Sequence, residues 1–388
     1  MARPSTSERD SGDAADEKRV TWAELFFDLV FVFAITQVSA LLHEEHSWAG
    51  VGRALILFVP IYWGWVGTSI HANVTEVDTP LERLGIFAVG LCSLIMALGV
   101  VEAFGERGVV FGAGYLLLRI VLAAVVFRGW RMSPNNFSVG LLVSGPLLLA
   151  GGIADGPARV WLWAVAAFID LATPTILRKR LVKVQFDASH LPERFGLFVI
   201  IALGESIVAI GSPAASAGDL YWRQVLAVAL AFALACGLWW VYFAYAASAV
   251  RHALSTASVQ TDIVREVLSY GHLLLLAGII ALAVGLAEIV AHADRPLELD
   301  VASLLFGGTA LYLATFGYTR YRMFRQWSTT RLGAAVIVIA LLPVAPRVTG
   351  LVALSVLVAI VVTLNLVEHR RVARAAPHEA IEERDVAL

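Results

Sequence analysis

The stretch Glu24-Leu-Phe-Phe-Asp28-Leu-Val-Phe-Val-Phe-Ala-Ile-Thr-Gln37 decides how this chain is to be read. It opens the first long apolar run, yet it carries two carboxylates that hydrocarbon ordinarily excludes. Four residues apart, Glu24 and Asp28 share one face of a helix, about a turn from each other. Like charges at that spacing repel, and an acid near lipid needs a partner, a water-filled cavity or a bound proton. A membrane helix that begins in this way does more than span.

The composition agrees. Of 388 residues, 59% are hydrophobic and 15% charged, and the mean hydropathy is +0.76, far from soluble averages. Eleven Trp and nine Tyr suit many membrane–water boundaries. Cys92 and Cys236 both lie in apolar runs, which excludes a disulfide framework and predicts two buried thiols. The first twenty residues are polar, with no apolar core before Val20. They read as a disordered tail, and no cleavable signal peptide is expected.

Runs long enough to cross a hydrocarbon core of ~30 Å fall at 24–42, 51–70, 84–102, 108–127, 137–153, 159–177, 195–212, 222–246, 268–291, 301–319, 332–346 and 348–367. The fifth and eleventh are short and are broken by Pro146 and Pro343. Of the 29 Lys and Arg, 22 fall in the even-numbered connections and the tails, Arg194 among them. The odd-numbered connections hold one each (Arg53, Arg107, Arg159, Arg223, Arg295, Arg347), and Arg119 lies inside a span. That alternation is the positive-inside pattern of twelve spans with both termini cytoplasmic.

The halves resemble each other. The third span matches the ninth at a shift of 186, setting Gly85 on Gly271, Ala97 on Ala283, Gly99 on Gly285 and Glu102 on Glu288. The fourth and tenth share Phe111-Gly112 and Phe306-Gly307. The second and eighth share Trp63 and Trp65 against Trp240 and Tyr242. The first and seventh begin with Glu24-x-Phe26 and Glu193-x-Phe195. The expected architecture is all-α: a polytopic membrane helix bundle of about twelve transmembrane helices in two six-helix pseudo-repeats, 21–183 and 184–369, with a C-terminal tail over 370–388. Six is even, so the repeats would be related by a pseudo-two-fold along the membrane normal, an arrangement some transporters use with a site between the halves.

Arg119, Asp170 and Glu205 lie deep in their spans, at ~15 Å by helical rise. One cation and two acids at one depth invite a pair, Arg119–Glu205 or Arg119–Asp170. A pair that only pins helix register and a site that handles solute, ion or proton are both open readings. One cation cannot neutralise every acid, so one acid is expected to hold a proton. Glu205 sits between Gly204 and Ser206, small residues that permit close helix approach, and Ser206 can donate to it. Glu102 and Glu288, at outer span ends, read as solvated boundary acids or as a paired vestibule. His272, early in the ninth span, reads as interfacial.

His43-Glu-Glu-His46 lacks further ligands for a metal. His71, Asn73, Asp78 and Arg83 form either a capped turn or a gating network. Arg178-Lys-Arg-x-x-Lys183 fits an anionic lipid surface. No motif points to nucleic acid, nucleotide or a cofactor.

Three motifs carry a resemblance: Glu24-Leu-Phe-Phe-Asp28-Leu-Val-Phe-Val-Phe-Ala-Ile, Phe195-Gly-Leu-Phe-Val-Ile-Ile-Ala-Leu-Gly-Glu205-Ser206 and Gly278-Ile-Ile-Ala-Leu-Ala-Val-Gly285. Over roughly residues 20–370 the chain resembles the bacterial low temperature requirement A family of multi-pass membrane proteins. The resemblance implies a bacterial inner membrane and directs attention to Glu24, Asp28, Glu205 and Ser206, without supplying a reaction. The family's acidic run after the second span is only partly present, as Asn73 to Asp78. A fainter likeness, to potassium channels of two six-helix repeats, rests on Phe26-Phe27-Asp28 and Thr36. Phe27 stands where those channels have serine, and Leu197 where the second aspartate would be.

The expected function is non-enzymatic: movement of a small solute or ion, proton- or cation-linked. Glu24, Asp28, Arg119, Asp170, Glu205 and Ser206 line the expected pathway, and no cofactor or metal is foreseen. The expected partners are the lipid bilayer and the solute. Two alternatives stand beside it, a membrane scaffold or sensor for low-temperature adaptation and an intramembrane lipid-modifying enzyme at Glu24 and Asp28.

Overall fold

The computed structural model describes residues 18–77, 79–127, 135–182, 184–216 and 221–385. Asp78, Arg128, Arg131, Lys183 and most of the N-terminal tail lie outside the described residues, as do side chains from 375 onward. Apolar runs in hydrocarbon must satisfy every backbone group internally, which leaves helices as the available solution. Among the described residues, twelve long helices form beside a short α-helical turn at Arg178–Leu181: α1 (Trp22–Glu44), α2 (Trp48–Val74), α3 (Pro80–Leu98), α4 (Gly108–Val126), α5 (Asn136–Ile153), α6 (Gly156–Ile176), α7 (His190–Ser216), α8 (Trp222–Thr256), α9 (Gln260–Ala291), α10 (Leu299–Phe324), α11 (Thr329–Leu341) and α12 (Gly350–Asp385). Among the described residues there is no strand, only an isolated bridge between Pro296 and Thr349.

Local chemistry sets the starts. Thr21 and Glu24 make a reciprocal capping box at the head of α1, so one of the two acids of the opening motif ends the helix as well as occupying it. Ser47, Thr79 and Asn135 cap α2, α3 and α5, and Pro80 takes the first position of α3. Asp187 accepts from the N–H groups of Ser189 and His190 just ahead of α7. Partial burial opposes the charge of Asp187, but these donors hold its carboxyl below the usual aspartate range.

Eleven of the twelve helices are long and apolar enough to cross a membrane. The exception is α11, whose 13 residues reach only ~20 Å; Pro343 follows it, and the chain turns through a single 3₁₀ turn, Ala345–Arg347. The expected eleventh span is therefore shorter than its apolar run. It still runs between the two faces of the bundle. Arg331, in its first turn, pairs with Glu368 of α12, while beyond its other end Gly350 N–H donates to Arg295 O, beside the α9–α10 turn.

The second six helices repeat the neighbour order of the first. In one half α1 packs on α2 and α3, α3 on α4, α4 on α5, α5 on α6 and α6 back on α2. In the other, α7 packs on α8 and α9, α9 on α10, α10 on α11, α11 on α12 and α12 back on α8. The paired glycines do the same work in both. A Cβ on Gly85 would lie 2.8 Å from Val125 of α4 and one on Gly271 2.6 Å from Thr319 of α10, so each lets the last turns of its partner helix close in. The halves meet along a seam where α1 and α2 pack against α7 and α9. Across it Trp65 stacks on Phe198 with centroids 4.1 Å apart.

Three helices carry π-helical turns, at Gly140–Ser144 in α5, Tyr242–Ala246 in α8 and Val264–Gly271 in α9. Such turns free carbonyls and tend to mark functional positions. Tyr62 of α2 donates to the Ser269 carbonyl of the α9 turn at 2.8 Å.

Candidate functional site

The acids expected inside the spans fall into two buried clusters, with Glu205 apart from both. The first cluster is centred on Arg194, in the second turn of α7. Its Nη1 donates to Glu24 Oε1 at 2.6 Å and its Nη2 to Asp28 Oδ1 at 2.7 Å, with all three side chains fully buried. Trp65 Nε1 adds a donor to Asp28 at 2.8 Å, and Thr21 donates to Glu24 through its N–H and hydroxyl. His190 Nε2 lies 3.2 Å from Glu24. Its Nδ1 faces Asn73 Nδ2 at 3.2 Å, which favours the tautomer with Nε2–H toward Glu24. Asn73 also exchanges two hydrogen bonds with the Asp187 backbone, so α1, α2 and the head of α7 are locked together.

Glu24 and Asp28 thus sit in a closed, fully buried cluster with one arginine for two acids, and Asp28 Oδ2 and Arg194 Nε have no hydrogen-bond partner there. Sequence reading missed Arg194 by counting it among the loop cations. The signal lies in its phase: His190, Arg194 and Phe198 follow one helical face, and all are buried, whereas Glu193 points outward and is exposed. The repeat alignment set Glu24 against Glu193, yet the residue that meets Glu24 is the next one along.

The second cluster contains the pair Arg119–Asp170, at 3.4 Å, one of the two pairs expected. Tyr115 OH sits between them, accepting from Arg119 and donating to Asp170. Ser144 Oγ donates to Asp170 Oδ1 at 2.7 Å. These residues tie α4, α5 and α6 within one half.

Glu205 is the acid left over. It is 4% exposed, and among the described residues no cation pairs with it. Its partner is Thr36 of α1, 2.6 Å from Oε2 across the seam. Ser206, expected to donate to Glu205, instead turns to the Ala202 carbonyl of its own helix at 3.4 Å.

The secondary candidates separate. Glu102 is exposed on the turn after α3, and Glu288 pairs with His292 at 2.9 Å, both at the ends of their helices. Helix α9 begins at Gln260, well before the apolar run, so His272 is buried with Nε2 2.7 Å from Tyr242 OH. Cys92 is buried as expected, but Cys236 is exposed on the helix surface. His71 meets Glu82 at 3.4 Å, and Arg178 is engaged by Asp262. Among the described residues, His, Cys, Asp and Glu do not gather in a group that could hold a metal ion.

The comparisons with known proteins agree with the motifs. The family model described as bacterial low temperature requirement A protein matches residues 19–366. An uncharacterized protein of Rhizobium meliloti (strain 1021) is 30% identical over 316 residues, covering 77% of this chain and 76% of its own length. No solved structure matches the chain.

Proposed function

Because the chain belongs to the bacterial low temperature requirement A family and is an integral membrane protein, we propose that it moves a small solute or ion in a proton-linked manner, with Glu205 as the proton carrier. The observation that carries this reading is the contact between Glu205 and Thr36. Thr36 has one hydroxyl proton and two acceptors beside it, the Val32 carbonyl at 3.0 Å and Glu205 Oε2 at 2.6 Å. Both contacts become hydrogen bonds when Glu205 itself carries a proton and donates to Thr36 Oγ. Buried at the seam without a cation, this carboxyl can exchange its proton where no ion pair competes for it.

Its position supports the same reading. The shift that sets Glu24-x-Phe26 on Glu193-x-Phe195 also sets Thr36 on Glu205, 169 residues apart. Residues equivalent in two halves touch each other only beside the axis that relates them. Glu205 therefore stands next to the pseudo-two-fold, where transporters of paired repeats bind what they move. The Arg194 cluster joins α1, α2 and α7 and the Arg119–Asp170 pair joins α4, α5 and α6, so in this reading both act as pins that hold helices in register. The pathway role expected of Glu24, Asp28 and Asp170 thereby narrows to Glu205 and Thr36. In this reading the protein sits in the bacterial inner membrane with both termini cytoplasmic, has lipid and solute as its partners, and performs no covalent chemistry.

The test is proton movement by the full chain in liposomes loaded with a pH-reporting dye, driven by a potassium diffusion potential. Wild-type protein should acidify the lumen. Glu205→Gln, of unchanged shape, should slow this by roughly tenfold or more while giving the same monodisperse elution. An unchanged rate in Glu205→Gln would remove Glu205 from the mechanism.

A further inference from the structure

Near the face that carries the termini, the seam opens into a cavity of about 120 Å³ whose wall includes Arg119 of α4 and Arg265 of α9. Trp63, Ile70 and Phe137 supply much of the rest. Among the described residues no carboxylate lines it, and its two charged groups are both guanidiniums, beside the neutral side chains of Asn135, Asn136, Thr261 and Ser269.

The charge around Arg265 does not balance. Arg265 contacts Asp262 at 3.2 Å and Glu266 at 2.5 Å, but Arg178 also claims Asp262 and Arg322 also claims Glu266. Three cations share two acids. The side chain of Arg265 is 6% exposed, and its Nε–H has no acceptor. A buried guanidinium with incomplete compensation is costly, and an anion is what relieves it.

The local backbone is shaped around the same place. Arg265 lies in the π-helical turn of α9. The π-helical turn of α5 presses Gly140 on Arg119, where a Cβ would come within 2.8 Å of the guanidinium carbon. Two such turns beside the two arginines of one small cavity mark it as built for occupancy.

We propose that this cavity binds a small oxyanion, a carboxylate or phosphate group, held chiefly by Arg265 with Arg119 beside it. The planar guanidinium suits such a group by paired donors. The group comes either from a free anion or from the headgroup of an anionic lipid reaching into the seam. The inference deepens the transport reading by naming the chemical class of the solute, and rests on that reading only for the step from bound anion to transported one.

The test is binding, measured without flux. Full-length protein in phosphatidylcholine nanodiscs is titrated with sodium phosphate and with sodium acetate at constant ionic strength, and its calorimetric signal and melting midpoint are followed. Saturable binding of either anion, weakened at least roughly tenfold by Arg265→Gln and partly restored by Arg265→Lys, supports a free-anion site. No binding of free anions, but a rise in melting midpoint when phosphatidylglycerol is included, lost in Arg265→Gln, supports a headgroup site. Ile70→Phe fills the cavity without removing a charge and should abolish either signal in a folded protein. Neither signal in the wild type, or signals untouched by both substitutions, overturns the proposal. Glu205→Gln should bind the anion normally, so loss of flux with retained binding separates the two inferences.

Discussion

At the scale of single residues, the decisive unit is Arg194 with Glu24 and Asp28. All three are fully buried, and one cation shared between two acids, with His190, Trp65 and Thr21 as further donors, makes a cluster that tolerates no deletion. Arg194→Ala leaves two carboxylates without their cation, at a cost of about 3–5 kcal/mol. Melting of detergent-solubilised protein followed by size-exclusion elution should show a marked fall in midpoint. The triple change Glu24→Gln, Asp28→Asn, Arg194→Ala should recover much of it, because the uncompensated charges are then gone. A single Arg194→Ala that melts with the wild type would mean the cluster pins nothing. The acids of this site were legible in the sequence, since a carboxylate in an apolar run has few innocent readings. Their partner was not, because a cation at a span end satisfies the charge rule wherever its side chain points. Phase on the helix, which turns Glu193 outward and Arg194 inward, becomes visible only once the first residue of α7 is known. Glu205 was legible as an acid, but its hydroxyl partner came from another half of the chain, and no local pattern names such a partner.

At the scale of helices, apolar run length foretold a helix for every expected span, because hydrocarbon leaves the backbone so little choice, but not the polar extensions that carry α8 on to Thr256, start α9 at Gln260 and carry α12 on to Asp385. The repeat is more faithful in helix order than in individual residues. Gly112 of α4 and Gly307 of α10 are aligned by their Phe-Gly motifs, yet a Cβ on Gly112 would fall 2.3 Å from the Leu148 carbonyl, whereas nothing lies within 4 Å of one on Gly307. The short α11 explains the difference, leaving a shallow groove along α10 where α5 presses on α4. The tight contact passes to the next residue. A Cβ on Gly308 would lie 2.6 Å from the Gly278 carbonyl and 2.7 Å from Leu282 N, backbone that cannot step aside. Gly308→Val should therefore separate α9 from α10 and cost about 1–3 kcal/mol or more, while Gly307→Val should be close to neutral. Paired melting curves decide this, and equal effects of the two changes would contradict the crossing. The π-helical turns were not legible, since nothing in local sequence separates them from α-helix; their cause is tertiary, as with Tyr62 taking a carbonyl that the turn in α9 frees.

At the scale of the whole molecule, the side on which the C-terminus ends relative to the N-terminus depends on α11. A 13-residue helix is short for a bilayer, yet contacts at its two ends fix opposite faces. Arg331 is joined to Glu368 at one end. At the other, Gly350 is joined to Arg295 and Pro296 is bridged to Thr349. With α11 crossing, both termini share one face; the parallel course of α1 and α7, the condition for Thr36 and Glu205 to be equivalent neighbours beside an axis, is set by the six helices from α1 to α6. Without it, the count of crossings falls to eleven and the Lys and Arg alternation loses its last step. Single cysteines in a Cys92→Ala, Cys236→Ala background test this with a membrane-impermeant maleimide on intact cells. Glu106→Cys, Asp294→Cys and Arg347→Cys should be modified together from outside. Ser255→Cys and Gln326→Cys should be modified only after the membrane is opened. Arg347→Cys is the critical position: protected in intact cells alongside Gln326→Cys, it would leave α11 on one side of the membrane and put the two termini on opposite sides.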